Sequence, residues 1–262
     1  MPKISAYIIA YNEEDKIEDA LKSITWVDEI VVADSHSRDR TAEISRLYTD
    51  KVVQIDFEGF GKLRNDAVAY CSHEWIFSLD TDELCTPDAK EEIIRIINDP
   101  GAADAYLVPR WNLFMGRWIR YSGWYPNYRQ PQLFRKGKMR YTEDLVHEGY
   151  VINGRLGHMK SAILQKPFRN LSQTLEKMDR YSTLGAQKLL RRGVQGSMWK
   201  ALLHGVWAFL RLFVLRLGFL DGWPGFVIAL GNFEGTFYRY AKLAEITNKW
   251  TTKEPPHPHE KE

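Results

Sequence analysis

Asp80 and Asp82 stand one residue apart, with Glu83 beside them, directly after an apolar run over residues 74–79 that reads as a buried strand. Carboxylates grouped this tightly are hard oxygen donors. Mg²⁺ or Mn²⁺ prefers such donors and leaves its remaining positions to water or to substrate phosphates. The spacing alone occurs in any acidic turn, and its place behind a buried strand is what gives it weight. Two more polar segments also follow short apolar runs: Tyr11-Asn12-Glu13-Glu14 after residues 4–10, and Asp34 at the end of residues 28–34. In an open α/β sheet, ligands bind beyond the carboxyl ends of the strands, so the three segments should meet at one edge. Farther along, Glu143, Asp144 and Glu148 are carboxylates able to take a proton from an attacking hydroxyl.

The elements that must position these groups alternate along the chain. After the first strand, Asn12 and the acids that follow lead into Ile17, Ala20, Leu21 and Ile24, which reads as a helix capped by Asn12. Strand 28–34, helix 41–47 and strand 51–56 come next, then Gly59 and Gly61 in a loop, helix 62–70 and strand 74–79. Pro87 opens a helix that runs to about residue 98, and residues 103–109 and 132–135 resume strand character. This order predicts an α/β fold with a mostly parallel central sheet and helices on its faces. Between residues 111 and 150 the chain is rich in aromatics. Trp111, Trp118, Tyr121, Trp124, Tyr125 and Tyr128 offer flat apolar faces that could stack on sugar rings, although core packing explains most of them equally well.

The total charge of +2 conceals a division along the 262-residue chain. Between Arg155 and Arg216, twelve Lys and Arg face only Glu176 and Asp179, a net +10 that leaves −8 for the remainder. An acidic body suited to a cation and a basic region suited to anions are therefore expected, with no uniformly basic surface of the kind that binds nucleic acid. The two cysteines, Cys71 and Cys85, have no metal-finger spacing and read as reduced thiols, and the first residues show no secretory signal pattern.

Beyond the basic helix expected over 172–192, residues 198–220 are strongly apolar yet contain Lys200, His204, Arg211 and Arg216. At about 100° per residue the first three share one stripe within about 40°, and Arg216 lies opposite, where its long stem can snorkel. This pattern suits a helix lying in the interface of an anionic leaflet better than one that spans it. Gly222-Trp-Pro-Gly225 should break the chain before an apolar stretch over 226–230 and an amphipathic one over 233–246, and residues 251–262 read as disordered. The expected organisation is a catalytic domain over 1–168, a membrane-associating helical region over 169–250 and the tail.

Four segments together carry a resemblance. They are Ile8-Ile-Ala-Tyr-Asn-Glu-Glu14, Val31-Val-Ala-Asp-Ser-His-Ser-Arg-Asp-Arg-Thr41, Gly59-Phe-Gly-Lys-Leu-Arg-Asn-Asp66 and Phe77-Ser-Leu-Asp-Thr-Asp-Glu83. In order and spacing, across roughly the first 150 residues, they resemble the inverting family 2 glycosyltransferases of GT-A fold. Val146-His-Glu148 and Asp221-Gly-Trp-Pro-Gly225 are most similar to the bacterial lipopolysaccharide inner-core β-1,4-glucosyltransferases within that family.

The resemblance implies that Tyr11 packs on the uracil of a UDP-sugar donor, that Glu13 and Asp34 hold base and ribose, and that Arg64 is a cation near the nucleotide. It also implies that Asp80 faces ribose or metal, and that Asp82 ligates Mg²⁺ or Mn²⁺ directly. For the base it points to Glu148, with Asp144 second; the pair His147-Glu148 departs from the plain Glu-Asp pair common in the family, and His147 could be a ligand or a core residue.

On this reading the protein would transfer glucose from UDP-glucose to an inner-core heptose of a lipid-A-linked acceptor. It would work at the cytoplasmic face of the bacterial inner membrane, against anionic lipids. A polyprenyl-phosphate or capsule-glycan transferase of the same fold is the nearest alternative, and a non-catalytic membrane-surface module is the alternative from another class. A sugar nucleotidyltransferase would need a glycine-rich first loop, which Tyr11-Asn-Glu-Glu14 does not provide.

Overall fold

A computed structural model describes residues 2–142, 149–168 and 170–250. The chain forms two compact units. One comprises the chain up to Leu113 and again Tyr125–Pro167, and the other comprises Phe114–Trp124 and the chain from Phe168 onward. The expected single cut near residue 168 therefore needs one amendment, because residues 114–124 belong with the carboxy-terminal helices.

In the first unit, β1 (Ile4–Ala10) pairs in parallel with β2 (Glu29–Asp34) and with β4 (Trp75–Ser78), and β3 (Val52–Gln54) pairs in parallel with β2. The sheet continues from β4 through β9 (Pro131–Arg135) and β6 (Ala105–Leu107) to β12 (Leu156–His158), with β9 antiparallel to both neighbours. Its central strands are apolar on both sides, and alternate residues serve different cores. Ile4, Ala6, Ile8 and Ala10 of β1 join Ile30, Val32, Trp75 and Phe77 on one face, where α1 (Ile17–Ser23) and α4 (Pro87–Asn98) pack. Tyr7, Val31, Ala33 and Ile76 face α3 (Phe60–Tyr70) on the other.

Local signals set several boundaries. Thr86 Oγ1 accepts the Ala89 N–H, Pro87 occupies the first turn, and Ala89, Ile93 and Ile97 form one buried stripe, so α4 matches its expected span. Gly59 has φ +117°, a left-handed value few side chains tolerate, and this lets α3 start at Phe60. Asn12 differs from expectation. It has φ +53° and its Oδ1 accepts the Arg38 N–H, while α1 begins after Lys16 without a side-chain cap. Helix α2 (Thr41–Ser45) links β2 to β3.

A second sheet in this unit joins β13 (Ile163–Gln165) to β5 (Glu83–Leu84) and to β7 (Arg110–Phe114). The hairpin of β10 (Met139–Tyr141) and β11 (Tyr150–Ile152) places Tyr141 opposite Tyr150.

The second unit contains β8 (Arg117–Ile119), α5 (Leu171–Arg191), α6 (Met198–Leu210) and α7 (Trp223–Asn248). The apolar stretch expected as one helix to residue 220 is interrupted. A π-helical turn (Arg211–Leu215) follows α6, Leu217 adopts φ +54°, and a 3₁₀ turn (Gly218–Asp221) precedes α7. Conversely, the two stretches expected over 226–230 and 233–246 are one continuous helix, α7. The turn packs so closely that a Cβ on Gly225 would sit 1.9 Å from the Gly218 carbonyl oxygen.

Asp221 is buried, and its carboxylate accepts the Arg120 and Tyr121 N–H groups and the Ser122 hydroxyl at 2.9–3.1 Å. Asp221→Ala should strand these donors and cost about 2–4 kcal/mol, lowering the thermal midpoint, whereas Asp221→Asn keeps one acceptor and should cost less. Equal midpoints for Ala and wild type would contradict this role.

Candidate functional site

The carboxyl ends of β1, β2 and β4 lie on one edge because the three strands are parallel, with Ala10 in register with Asp34 and Tyr7 with Ser78. Residues 11–14 and 37–41, which follow β1 and β2, are laced together there. The Asn12 N–H donates to Ser37 Oγ, the Glu13 N–H to Thr41 Oγ1 at 2.8 Å, and the Arg40 N–H to Glu14 Oε2. Asp34 is fully buried, and its carboxylate accepts the Ser37 hydroxyl, the Ser37 N–H at 3.1 Å and Gln54 Nε2 at 2.8 Å. In this structure Asp34 fixes the turn after β2. Tyr11, by contrast, stands 56% exposed at the same edge, with its ring open to a flat partner.

Beyond β4 the groups are held more tightly. Arg64 comes from α3 and is buried, so it is no surface charge. Its Nη2 donates to Asp80 Oδ1 at 2.7 Å, its Nη1 to Ser78 Oγ at 3.2 Å, and its guanidinium lies over the Tyr141 ring, 5.6 Å from the centroid. Tyr141 in turn shares a 2.9 Å hydrogen bond with Tyr7 between their hydroxyls. Burial pushes the Asp80 carboxyl up, but the Arg64 and Arg110 guanidiniums outweigh it and hold Asp80 below the usual carboxylate range.

Asp82 has the opposite balance. Burial, and then the charges of Glu83 and Asp80, push it up to about 7, against the pull of Lys16 and of a hydrogen bond from Gln165. That bond is long, 3.3–3.4 Å from Gln165 Nε2 to the two carboxylate oxygens. Lys16 also lies 3.4 Å from Glu13, which brings the first loop and Asp82 into one electrostatic neighbourhood.

Glu83, the third acid of the cluster, is engaged otherwise. It is fully buried, accepting Arg110 Nε at 2.5 Å, Gln132 Nε2 at 2.7 Å and the Asp80 N–H at 3.0 Å. Its lone pairs are committed to fixing the turn that presents Asp80 and Asp82.

The residues present fit a divalent cation of limited demand. Among the described residues no three His, Cys, Asp or Glu form a preformed cage. Asp82, however, is a poorly solvated carboxylate repelled by two others, and a cation would relieve that repulsion. Mg²⁺ is commonly held by one or two carboxylates, with the rest supplied by water and substrate phosphates. Asp80 and Asp82 are the two that would hold it.

The expected base residues Glu148 and Asp144, like Glu143 and His147, lie outside the described residues. Their flanks are tied down. The Thr142 N–H donates to the Gly149 carbonyl and the Gly149 N–H to Thr142 Oγ1, directly after Tyr141 of the Arg64 cluster. Of the aromatic set, Trp111, Tyr125 and Tyr128 are partly exposed in the first unit, with the Trp111 and Tyr125 rings 5.9 Å apart. Trp124 packs instead with Phe114 and Phe168 in the core of the second unit.

Arg110, Gln132 and Gln165 escaped the sequence reading. The available signal was a polar residue inside an apolar strand, as Gln132 is in Pro131–Arg135. The side-chain oxygens of Gln132 and Gln165 are buried without a hydrogen-bond partner among the described residues.

A sequence profile described as glycosyl transferase family 2 matches residues 5–161. Over 270 aligned residues the chain is 29% identical to the lipopolysaccharide core biosynthesis glycosyltransferase LpsC of Rhizobium meliloti, covering 98% of this chain and 97% of the relative. It is 27% identical over 265 residues to an uncharacterized glycosyltransferase of Rickettsia typhi, covering 95% and 89%. Among solved structures it is similar to residues 1–349 of S. aureus TarS in complex with UDP-GlcNAc, with 17% identity, a TM-score of 0.48, and coverage of 94% of this chain and 92% of that one.

Proposed function

We propose that this chain, which belongs to glycosyl transferase family 2, moves glucose from UDP-glucose, with inversion at the anomeric carbon, onto an inner-core heptose of a lipid-A-linked acceptor through a β-1,4 bond. The observation that carries the reading is the pairing, at one strand edge, of a guanidinium-bound Asp80 with an under-solvated Asp82. The edge can hold a cation and a diphosphate while the exposed Tyr11 takes the base. Sequence similarity along nearly the whole chain to a lipopolysaccharide core biosynthesis glycosyltransferase supports the acceptor class.

In the proposed reaction the acceptor hydroxyl oxygen bonds to the anomeric carbon on the face opposite UDP, and the bond from that carbon to the diphosphate oxygen breaks. UDP leaves with the electron pair, and the hydroxyl proton passes to a carboxylate, Glu148 or, second, Asp144. A cation held by Asp80 and Asp82 would offset charge on the departing diphosphate. Arg64 keeps Asp80 ionised and fixed, and Glu83 fixes the turn.

The test is a donor screen. UDP-glucose, UDP-galactose and UDP-N-acetylglucosamine are offered with a heptose-terminated core acceptor and Mg²⁺ or Mn²⁺, UDP release is followed, and the product linkage is read by NMR. UDP-glucose should be consumed fastest, to a β-1,4 product. Transfer to polyprenyl phosphate with none to the heptose acceptor would overturn the acceptor, and a faster second donor would overturn the sugar.

A further inference from the structure

Helix α6 uses one face against α7 and leaves the other uncovered. Its buried positions are Ala201, Gly205 and Ala208; Gly205 faces the Phe233 ring, His204 stacks on Tyr240 with centroids 4.5 Å apart, and Phe209 meets Phe226. The opposite face presents Trp199, Leu203 and Trp207, exposed at 75%, 67% and 56%, with Leu202, Val206 and Leu210 between them. At about 100° per residue these six occupy a single sector about 140° wide along the whole helix, and Lys200 and Arg211 border it on one side. Past the helix, the exposed Leu217, Phe219, Leu220 and Trp223 continue the apolar surface. From Gly193 to Phe233 the sole acid is Asp221, which is buried among its own donors, so every charge this stretch shows to solvent is positive.

We propose that this face of α6, with the turn after it, seats in the interfacial layer of an anionic lipid bilayer, the helix axis lying in the membrane plane. Three features select this occupant. The apolar sector runs along the helix, and an in-plane helix buries such a sector about 5–10 Å deep. Trp199, Trp207 and Trp223 are of the residue type that settles at headgroup level. Lys200, Arg211 and Arg216, in a stretch that exposes no acid of its own, complement anionic headgroups.

Residues Met198–Leu215 are long and apolar enough to span a bilayer, with mean hydropathy 1.4 over 18 residues, yet their neighbours argue for the in-plane arrangement. Helix α7 packs along α6 and carries Glu234, Arg239, Lys242 and Glu245. Lys242 is held by Asp179, Ser182 and Thr183 of the largely polar α5. A spanning α6 would draw these charges into hydrocarbon.

The test uses the full chain without substrates, so its outcome is independent of the transferase reading. Sedimentation with phosphatidylcholine vesicles, with and without phosphatidylglycerol, should show binding to the anionic vesicles that weakens with salt. Leu203→Glu with Trp207→Glu should lower partitioning at least about 10-fold at an unchanged circular dichroism spectrum and elution volume. Lys200→Gln with Arg211→Gln should remove most of the preference for phosphatidylglycerol. Lipids brominated along the chains should quench the wild-type tryptophan fluorescence, and less so after Trp199→Phe with Trp207→Phe, a reading available even if the glutamate variant does not fold. Unchanged partitioning in a folded glutamate variant would overturn the proposal. So would a wild type that ignores vesicles and forms dimers that the glutamate variant dissolves, which would make a second copy of this chain the occupant.

Discussion

Asp82→Asn should abolish transfer, by at least about 10³-fold in kcat, while leaving the metal-free protein at least as stable as wild type. The two halves have one cause. Asp82 sits among Glu83 and Asp80 with its charge poorly solvated, and its carboxyl is pushed up to about 7. In the unfolded chain it returns to the ordinary value of about 3.9. Between those values the native state holds a proton that the unfolded chain has released, so stability falls as pH rises through the window and levels off above 7. Asparagine removes this titration. The gap in unfolding free energy between variant and wild type should therefore widen from pH 4 to pH 7, reaching on the order of 2–4 kcal/mol, and then stay constant.

Mn²⁺ with UDP should reverse the ranking. Ligands that bind only the native state raise the wild-type midpoint by mass action, and the variant, lacking a carboxylate to hold the cation, should gain little. Thermal unfolding at three pH values, with and without Mn²⁺ and UDP, reads both effects. A metal-free variant less stable than wild type at pH 8 would show that the Asp82 charge is satisfied inside the protein. Retained transfer would instead show that the reaction does not depend on the Asp82 carboxylate.

The strand edge was legible because its causes are local. Central parallel strands are largely apolar on both faces, so 4–10, 28–34 and 74–79 stood out by their apolar β-prone centres, and the polar residues at the end of each fell on one edge by topology. Pro87 marked the start of α4 for the same kind of reason. Asn12 was misread because its partner is the Arg38 N–H in the neighbouring loop, 26 residues away, and tertiary bonding overrode its capping preference.

The carboxy-terminal helices show the same limit. The left-handed turn falls on Leu217 and not on Gly218 beside it, and Gly231 does not interrupt α7, which packs against α6 along its length. Packing of an extended face outweighs the ~1 kcal/mol that one interior glycine costs. Arg110 and Gln165 could not be assigned in advance, because their acidic partners are 27 and 83 residues distant and a β-strand carries no local mark of what lies across its sheet.

Breaking the buried pair of Glu83 and Arg110 should cost more stability than any other single change near the site, and replacing both partners should recover most of it. Both side chains are essentially inaccessible, at 0% and 1% exposure, with Glu83 Oε1 2.5 Å from Arg110 Nε. Removing one member of such a pair leaves an uncompensated buried charge, which typically costs 3–5 kcal/mol, whereas apolar replacement of both is often close to neutral. Arg110→Met should be the worse of the two single variants. It leaves Glu83 without its counter-charge beside Asp80 and Asp82 and withdraws one of the cations that hold Asp80 low, so that three carboxylates crowd the turn. Glu83→Leu frees Arg110 and also strands the Asp80 N–H and the Gln132 amide, which the double variant does not restore. Urea midpoints should therefore show the double variant losing less than either single variant, a strongly non-additive pair, and the double variant should be folded but slow, because the turn that presents Asp80 and Asp82 has lost its anchor. Additive losses would mean that the charges do not depend on each other, and a fully active double variant would mean that Glu83 holds the fold without placing the site.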